Sequence, residues 1–334
     1  MSKVLGMGNA LVDIITQLKD DKLLESFGLP KGSMTLVDLD TSNIIHAGTA
    51  GYKKQKASGG SAANTIHGLA HLGINTGFIG KVGNDELGRF FQKDMKNSHI
   101  QPILFRSVNE TGRAMALVSP DSERTFATFL GAAVELTVDD LSSDIFRDYD
   151  YFYIEGYLVQ NKPMMEKALR LAVNQNLTVC LDLSSYNIVE QEREFFFSLI
   201  KNYVDVLFAN EEEVQALTGR DAEEGSSELN KMVNTVVVKM GARGSLIRLK
   251  NDLITIEPRR SKPIDTTGAG DLYASGFIYG LIRGCDPETC GRMGSALAGR
   301  IIEFIGAKMT ESSWENLRRE INSMESACRN IQPD

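Results

Sequence analysis

Short, continuous apolar runs recur along the chain, and segments long enough to form helices separate them. A strand that is apolar at successive positions, rather than at alternate ones, is typical of a parallel sheet covered on both faces. Segments with helical periodicity between the runs complete strand–helix–strand units, which predicts an α/β fold with a mostly parallel central sheet. The runs are Val4–Gly8, Thr76–Gly80, Tyr151–Glu155, Thr178–Leu183, Val204–Ala209 and Thr235–Lys239.

Polar residues close several of these runs. Asn9, Glu155, Asp182, Asn210 and Lys239 stand at or just past the carboxyl ends of the predicted strands. In open α/β sheets, ligands bind in the crevice outside that edge. Any one of these residues alone could be a solvated strand end. Five of them in one chain predict a ligand cleft at this edge of the sheet.

Two segments break the strand–helix rhythm, at approximately residues 11–38 and 103–132. The second segment alternates apolar and polar residues around the turn signal SPDSE at Ser119–Glu123. That pattern is typical of a hairpin with one exposed face. We expect both segments to form strands of a small lid, which projects from a single domain that spans residues 1–334.

The composition limits the class of partner and the compartment. The 334 residues carry a formal net charge of −8 at pH 7, which argues against broad binding of nucleic acid or of anionic membranes. The N-terminus leads directly into an apolar run, and no apolar stretch reaches the length of a membrane span. The cysteines form no C-x-x-C pair and are expected to be reduced thiols. We therefore expect a cytoplasmic protein. The four cysteines are Cys180, Cys285, Cys290 and Cys328.

The stretch DTTGAGD, at Asp265–Asp271, precedes a segment with apolar residues at helical spacing. Gly268, Ala269 and Gly270 are therefore predicted to lie in the first turn of a helix or in the loop before it. Unpaired N–H groups and the helix dipole make such a turn an anion site, and small residues let phosphate oxygens approach the backbone. Asp271 could accept the proton of an attacking hydroxyl as general base. The alternative is that Asp271 only caps the helix.

Two further stretches contain candidate substrate-binding residues. Gly59 and Gly60 form a paired-glycine turn before a helix that begins near Ala62, and Asn64 follows on that helix. Such a turn lets a polar ligand approach the backbone, because glycine has no side chain in the way. Asp13 lies just beyond the first strand, where a carboxylate suits a bidentate bond to two sugar hydroxyls.

Candidate residues for the nucleotide and a metal lie later in the chain. Asn210 and Glu213 have an N-x-x-E spacing that places both on one face of a helix start. They could order the water shell of Mg²⁺, which keeps most of its waters in proteins. The run of three glutamates could equally be an ordinary solvated helix start. Lys239, Gly241 and Gly244 come at the end of a strand, where the backbone of a nucleotide could lie.

Taken in chain order, the stretches GNALVD, GGSAAN, GKVGNDELG, NEEE and DTTGAGD resemble the motifs of the ribokinase-like (PfkB) family of carbohydrate and nucleoside kinases. The resemblance covers nearly the whole chain, and DTTGAGD is its most specific motif. It implies a three-layer α/β/α fold with a small β lid, and ATP-dependent phosphorylation of a primary alcohol. ATP and Mg²⁺ are the implied cofactors, with K⁺ as a further candidate. The implied partner is a small-molecule sugar or nucleoside, bound by a monomer or homodimer.

The resemblance also implies a role for each candidate residue. Asp271 is the implied base, and Gly268–Gly270, which includes Ala269, is the implied anion hole. Mg²⁺ is implied near Asn210 and Glu213, through water. Lys239 departs from the family pattern, because many relatives carry a small polar residue there. The implied substrate-binding residues are Asn9, Asp13, Gly59, Gly60 and Asn64, and the implied nucleotide-binding residues are Asn210, Lys239, Gly241, Gly244, Thr266, Gly268 and Gly270.

The acceptor of the phosphate is less well defined by the motifs. The stretches GNALVDI, GSMTLVD and YIEGYLV resemble the adenosine-kinase branch more than ribokinase itself. In nucleoside kinases a ring after the third stretch would face the base, and Tyr157 is that ring here. The alternatives are that Tyr157 packs under the lid and that the substrate is a free sugar or sugar acid, of the ribose, fructose or 2-keto-3-deoxygluconate type. A non-catalytic ligand-binding homologue is a remote alternative.

Other motifs point away from competing chemistries. His67 and His71 are four residues apart on one predicted helix, as metal ligands can be, but no acidic or cysteine partner follows them. We therefore expect a structural or surface role for both. The stretch GMGNAL lacks the third glycine of a dinucleotide fingerprint, and no G-x-x-x-x-G-K-[ST] motif occurs.

Overall fold

The computed structural model describes residues 2–121, 123–250 and 252–329. These residues form fourteen strands and twelve α-helices. The strands are β1 (Lys3–Met7), β2 (Leu11–Gln17), β3 (Met34–Leu36), β4 (Lys54–Gly59), β5 (Asn75–Gly83), β6 (Ile100–Ser107), β7 (Thr111–Val118), β8 (Arg124–Gly131), β9 (Tyr151–Glu155), β10 (Thr178–Asp182), β11 (Val206–Asn210), β12 (Thr235–Lys239), β13 (Ser245–Leu249) and β14 (Asp252–Ile256). The helices are α1 (Lys22–Ser26), α2 (Leu39–Gly48), α3 (Ser61–His71), α4 (Glu86–Asn97), α5 (Lys162–Asn174), α6 (Tyr186–Gln191), α7 (Arg193–Tyr203), α8 (Glu211–Thr218), α9 (Ala222–Leu229), α10 (Ala269–Ile282), α11 (Pro287–Ile301) and α12 (Glu311–Arg329).

Nine strands form the larger sheet, in the order β14-β13-β12-β11-β10-β9-β1-β5-β6. Neighbouring strands from β12 to β6 are parallel. Only the additions at the other edge, β13 and β14, pair in antiparallel fashion within the described chain. All six apolar runs of the sequence lie in this sheet, so the predicted α/β fold with a mostly parallel sheet is confirmed.

Helices cover both faces of the larger sheet. Along β1, Val4 packs into one hydrophobic cluster, whereas Leu5 and Met7 pack into the other. Along β11, Phe208 joins the first cluster and Leu207 the second. Because successive residues enter different apolar layers, the strands are apolar at every position. The three-layer α/β/α arrangement therefore explains the continuous runs.

Five strands form the smaller sheet, in the order β3-β8-β7-β2-β4. The predicted hairpin is confirmed, since β7 and β8 are antiparallel neighbours. The smaller sheet differs from the predicted lid in two places. Residues 103–107 belong to β6 in the larger sheet, and β6 ends shortly before β7 of the smaller sheet begins, so no break in the sequence separates the two. The smaller sheet also contains β4, whose sequence KQKASG has no apolar stripe to mark it as a strand.

The two faces of the smaller sheet have different environments. On β2, Val12 and Ile14 are buried in the core, whereas Asp13 and Ile15 are only partly buried. We call the second face the cleft face. Residues that pair directly across strands point to the same side of a sheet, so the registers assign the remaining members. The cleft face comprises Asp13 and Ile15, Ala114 and Ala116, Arg124, Phe126 and Thr128, and Met34 and Leu36.

Two further expectations concern helices and cysteines. None of the helices in the described part of the chain combines the length and the apolar character that crossing a membrane requires. The four cysteines are buried and free. The assignment of residues 1–334 to a single domain stays a prediction.

Candidate active site

Glu155 ties three elements together at the carboxyl edge of the larger sheet. Its Oε1 accepts a hydrogen bond from the backbone N–H of Asn9 at 2.8 Å, and its Oε2 accepts one from Ala62 at 2.7 Å. A Cβ on Gly8 would lie 2.4 Å from Oε2, so only glycine leaves room for the carboxylate. Burial raises the pKa of Glu155 to about 7 despite these donors. This carboxylate joins the ends of β1 and β9 to the start of α3.

The paired glycines lie where the sequence predicts a turn before a helix. Gly60 has φ +101°, and a Cβ there would lie 2.2 Å from the carbonyl oxygen of Asn9. A Cβ on Gly59 would lie 2.2–2.5 Å from the carboxyl atoms of Asp13. Both positions therefore require glycine, and their small size lets α3 begin directly against the ends of β1 and β2.

The stretch DTTGAGD forms the predicted helix start. Gly268 is the N-cap of α10 with φ +77°, and Ala269 and Gly270 begin the first turn. A Cβ on Gly268 would lie 2.7 Å from the Cβ of Ala307. A Cβ on Gly270 would lie 3.2 Å from Lys239 Nζ, so this cation stands at the N-terminus of the helix. Helix dipole and ammonium group together make the turn electropositive.

Asp271 lies in the first turn of α10 and contacts α3. Ser61 Oγ donates to its Oδ1 at 2.7 Å, and Asn64 Nδ2 donates to its Oδ2 at 3.0 Å. Burial raises the pKa of Asp271 to about 6, while the hydrogen bonds from Asn64 and Ser61 oppose that rise. The group is therefore mostly ionised at neutral pH, yet much more basic than an exposed aspartate. These properties are those of a general base.

Lys239 and Asp182 form an ion pair beside this helix start. Lys239 Nζ lies 2.6 Å from Asp182 Oδ2, and Ser184 N–H donates to Asp182 Oδ1 at 2.9 Å. Burial lowers the pKa of Lys239, but Asp182 and Glu213 outweigh that influence and raise it overall. The side chain is therefore a permanent cation. Gly241 and Gly244 follow β12 with φ +56° and +84°. A Cβ on Gly241 would meet no atom within 4 Å, whereas a Cβ on Gly244 would lie 1.9 Å from the carbonyl oxygen of Ile256.

Asn210 and Glu213 meet at the start of α8. The Asn210 N–H and Nδ2 donate to the two carboxylate oxygens of Glu213 at 2.8 and 2.9 Å, and the Glu213 N–H donates back to Asn210 Oδ1 at 2.8 Å. Burial, with Asp182 nearby, raises the pKa of Glu213. Each carboxylate oxygen keeps a free lone pair that can accept a hydrogen bond from a metal-bound water. The pair thus fits Mg²⁺ held through its waters, and the described residues contain no cluster of three or more ligands for direct coordination.

Arg124, on the cleft face, holds the loop that precedes α10. Its Nη1 lies 2.7 Å from Asp265 Oδ2 and 3.1 Å from Thr267 Oγ1. Gly306 N–H also donates to Asp265 Oδ2 at 2.6 Å. Arg124 is 7% exposed, and its Nε and Nη2 have no hydrogen-bond partner within the described ranges. The guanidinium group of Arg124 therefore connects the smaller sheet to the loop before α10. Two of its nitrogen atoms remain available as hydrogen-bond donors.

The remaining predicted residues line the same region. No described residue donates a hydrogen bond to Asp13, and burial raises its pKa to about 6. Asn9 Oδ1 and Asn64 Oδ1 are buried acceptors that lack partners in residues 2–121, 123–250 and 252–329. Tyr157 lies on a 3₁₀ turn after β9, where burial and then the charges of Glu155 and Asp271 raise its pKa. Unsatisfied buried acceptors are uncommon in native proteins, so these two amide oxygens are available to accept hydrogen bonds from water or from a ligand.

Ser61 and Arg124 are site residues that sequence reasoning missed. Ser61 directly follows the paired glycines, so its place in GGSAAN was the available signal. Arg124 stands at the start of a strand, where an arginine on an otherwise apolar face signals a buried ionic contact. Thr266 is exposed and lies in the same loop as Thr267, and its assignment to the nucleotide stays a prediction.

The two histidines on α3 pack as expected for structural residues. His67 Nε2 lies 2.7 Å from Ser98 Oγ, and the His71 ring stacks on Trp314 with a centroid distance of 4.6 Å. Burial lowers the pKa of His71 to about 4. Both rings are therefore neutral parts of the packing between α3, α4 and α12.

Similarity to known proteins agrees with this geometry. Residues 37–313 match the model described as "pfkB family carbohydrate kinase". The crystal structure of adenosine kinase from Sinorhizobium meliloti is similar with a TM-score of 0.86 and 33% identity, covering 96% of this chain and 99% of that one. A "probable sugar kinase protein" from Rhizobium etli has a TM-score of 0.86 and 32% identity, covering 96% and 98%. The 5-dehydro-2-deoxygluconokinase of Bacillus subtilis is 28% identical, covering 74% of this chain and 81% of its own.

Proposed function

The chain belongs to the pfkB family of carbohydrate kinases, and we propose that it transfers the γ-phosphate of ATP to a primary hydroxyl of a ribonucleoside, with adenosine as the best candidate. Family membership makes the protein a phosphotransferase that acts on a hydroxyl group. The observation that carries the nucleoside assignment is the exposed apolar part of the cleft face, at Met34 and Leu36.

Met34 and Leu36 are 53% and 56% exposed, although they lie on the same sheet face as Asp13. Leu36 pairs with Thr128, Thr128 with Ala114, and Ala114 with Asp13, so Leu36 and Asp13 lie in one cross-strand row. Large exposed apolar side chains next to a polar site indicate a binding surface. A nucleoside needs such a surface for its base, whereas a free sugar presents hydroxyls on every side.

The hydroxyl to be phosphorylated would lie beside Asp271. The carboxylate accepts its proton as the oxygen attacks the γ-phosphorus atom, while Ser61 and Asn64 hold the carboxylate in place. Asp13, to which none of the described residues donates a hydrogen bond, accepts hydrogen bonds from the two ribose hydroxyls. The unpaired amide oxygens of Asn9 and Asn64 supply further acceptors on the sugar side.

The phosphate side is formed by the start of α10. Gly268–Gly270 leaves the first-turn backbone open to the transferring phosphate, and Lys239 contributes a fixed positive charge beside it. Gly241 leaves space for the nucleotide at the end of β12, and Gly244 completes the same turn. Asn210 and Glu213 would hold Mg²⁺ through its waters, and the ion when bound would offset the charge of the phosphates. Tyr157 is proposed to face the acceptor from the end of β9.

A second candidate is a carbohydrate kinase that acts on a free sugar or sugar acid. It is supported by the similarity to the B. subtilis 5-dehydro-2-deoxygluconokinase over 74% of this chain. The Asp271 and Gly268–Gly270 chemistry is the same for either acceptor. The exposed apolar residues of the cleft face favour the nucleoside, because a small polar sugar would leave them in water.

The apolar part of the cleft face can be tested with the double variant Met34→Gln/Leu36→Asn. Losing about 1–2 kcal/mol of apolar contact should raise the KM for adenosine by roughly 5- to 30-fold. The matched control is Ile44→Asn, because Ile44 is 61% exposed on α2, which packs on the opposite face. We expect the control to keep the wild-type KM for adenosine, and both proteins to keep the wild-type KM for ATP. An unchanged adenosine KM in the double variant would remove the support for a nucleoside.

A further inference from the structure

The side-chain nitrogen of a lysine is buried near Asp13. Lys308 follows Gly306 and Ala307 in the loop after α11, and its Nζ is buried without a hydrogen-bond partner in the described part of the chain. Together with Asp13, His67 and Asp94 it lines a cavity of about 330 Å³. A buried ammonium group is costly unless a nearby negative charge offsets its desolvation. The lysine therefore needs an electrostatic partner across this cavity.

Most of the other polar groups of the cavity have a hydrogen-bond or ion-pair partner, although the carboxylate of Asp94 also attracts Lys308. Asp94 Oδ2 accepts hydrogen bonds from Ser58 N–H at 3.0 Å and Ser58 Oγ at 2.6 Å. His67 is bonded to Ser98 and is uncharged, because burial keeps its pKa well below the ordinary value. Lys56 points to Glu86 at 3.2 Å. Asp13 also lines the cavity, and none of the described residues donates a hydrogen bond to its carboxylate.

We propose that Lys308 is a positioning residue that keeps Asp13 ionised, so that Asp13 can accept hydrogen bonds from the hydroxyls of the phosphate acceptor. This inference rests on the proposed function, since it needs an acceptor that is gripped by Asp13. Lys308 acts across the cavity, without direct contact to the substrate.

The charges around Asp13 support this assignment. Burial raises the pKa of Asp13 to about 6, Lys308 and then Arg124 lower it, and Asp271 raises it further. Arg124 is already paired with Asp265, whereas Lys308 has no competing direct ion pair among the described residues. Burial lowers the pKa of Lys308 to about 8, with Asp94, Asp13 and Asp271 opposing that change. Near neutral pH the lysine is therefore mostly charged and the aspartate mostly ionised.

The test compares Lys308→Met with wild type and with Lys56→Met, an exposed lysine on the same cavity wall. Losing one nearby cation should raise the Asp13 pKa by about one unit, which raises the KM for adenosine about fivefold at about pH 6 and hardly at all at about pH 8.5. We expect kcat and the KM for ATP to change little, and Lys56→Met to match wild type. KM is compared between proteins at each pH, because Asp271 titrates in the same range in all of them.

The pH dependence separates the proposal from its rivals. A KM defect in Lys308→Met that persists unchanged at high pH would indicate a structural role and overturn the proposal. If Lys308 contacted the substrate directly, the wild-type KM would instead rise as the lysine loses its proton above about pH 8, which would also overturn it. Lys308→Arg keeps the positive charge and should keep the wild-type dependence of KM on pH. This variant is used if Lys308→Met does not fold.

A double variant tests whether the effect passes through Asp13. In an Asp13→Asn background, Lys308→Met should cause no further rise in KM, because the group it acts on no longer titrates. Additive effects would overturn the proposal. Failure of the nucleoside assignment is visible separately, as absent turnover of adenosine by the wild-type enzyme. The same series is then run with the acceptor that is turned over, whose hydroxyls Asp13 would also bind.

Discussion

Asp271→Asn should lower kcat by about 10²–10⁴-fold, the usual contribution of a general base. Asparagine keeps the shape of the side chain at the start of α10 but cannot accept the proton of the attacking hydroxyl. The affinity for ATP, measured by calorimetry, should stay within a few-fold, because Asp271 acts on the acceptor. Steady-state ADP release with saturating acceptor and ATP measures kcat.

Thermal unfolding is the control for Asp271→Asn. Burial raises the Asp271 pKa to about 6, so ionising this group costs folding free energy above that pH. A neutral residue should therefore leave the midpoint of unfolding near neutral pH unchanged or slightly higher. A variant with wild-type kcat would show that Asp271 is not the general base. A purely structural role, through the hydrogen bonds from Ser61 and Asn64, predicts the reverse pattern, a lower midpoint with kcat retained.

Gly270→Val should lower kcat by about 10²–10³-fold, the effect of losing a donor to the developing charge at such sites. A Cβ at this position would already lie 3.2 Å from Lys239 Nζ, and the branched side chain would fill the space that the phosphate needs. The matched control is Gly51→Val, since a Cβ on Gly51 meets no atom within 4 Å and its φ is not positive. Both variants are assayed for kcat, ATP affinity and thermal midpoint.

The outcomes for the glycine pair are distinct. The phosphate-cradle account predicts loss of kcat in Gly270→Val, with the thermal midpoint changed no more than in Gly51→Val. Full activity of Gly270→Val would show that phosphate does not approach this turn. A matching loss of activity in Gly51→Val would show that the effect is not specific to the helix start.

The larger sheet could be predicted from the sequence because its signal is local. Strands such as β1 and β11 pack against apolar layers on both faces of the sheet. This burial on both faces makes their sequences apolar throughout. The sequence signal for the helix start at Gly268 was equally local, since three small residues precede a segment with apolar residues at helical spacing. By contrast, β4 has no apolar stripe, and β6 ends shortly before β7, which belongs to the other sheet. Neither strand could be assigned to its sheet from its own residues.

The contacts of the candidate site also divide into local contacts, which could be predicted, and long-range contacts, which could not. Asn210 and Glu213 are three residues apart, so their pairing follows from helix geometry and was predicted. The contact of Ser61 with Asp271 joins residues 210 apart in sequence, and that of Arg124 with Thr267 joins residues 143 apart. Such contacts depend on how the two sheets and α3 come together. No local pattern in the sequence encodes them. The proximity of Lys308 to Asp13 is another long-range arrangement of this kind.

The most direct test of the nucleoside assignment is the release of ADP by the wild-type enzyme with a panel of acceptors. The panel contains adenosine, ribose, fructose, 2-keto-3-deoxygluconate and 5-dehydro-2-deoxygluconate, each assayed over a range of concentrations with ATP and Mg²⁺. We predict that adenosine saturates the enzyme with the highest kcat/KM and that the product carries the phosphate on its primary hydroxyl. Saturating turnover of a sugar or sugar acid, with adenosine inert, would contradict the nucleoside assignment.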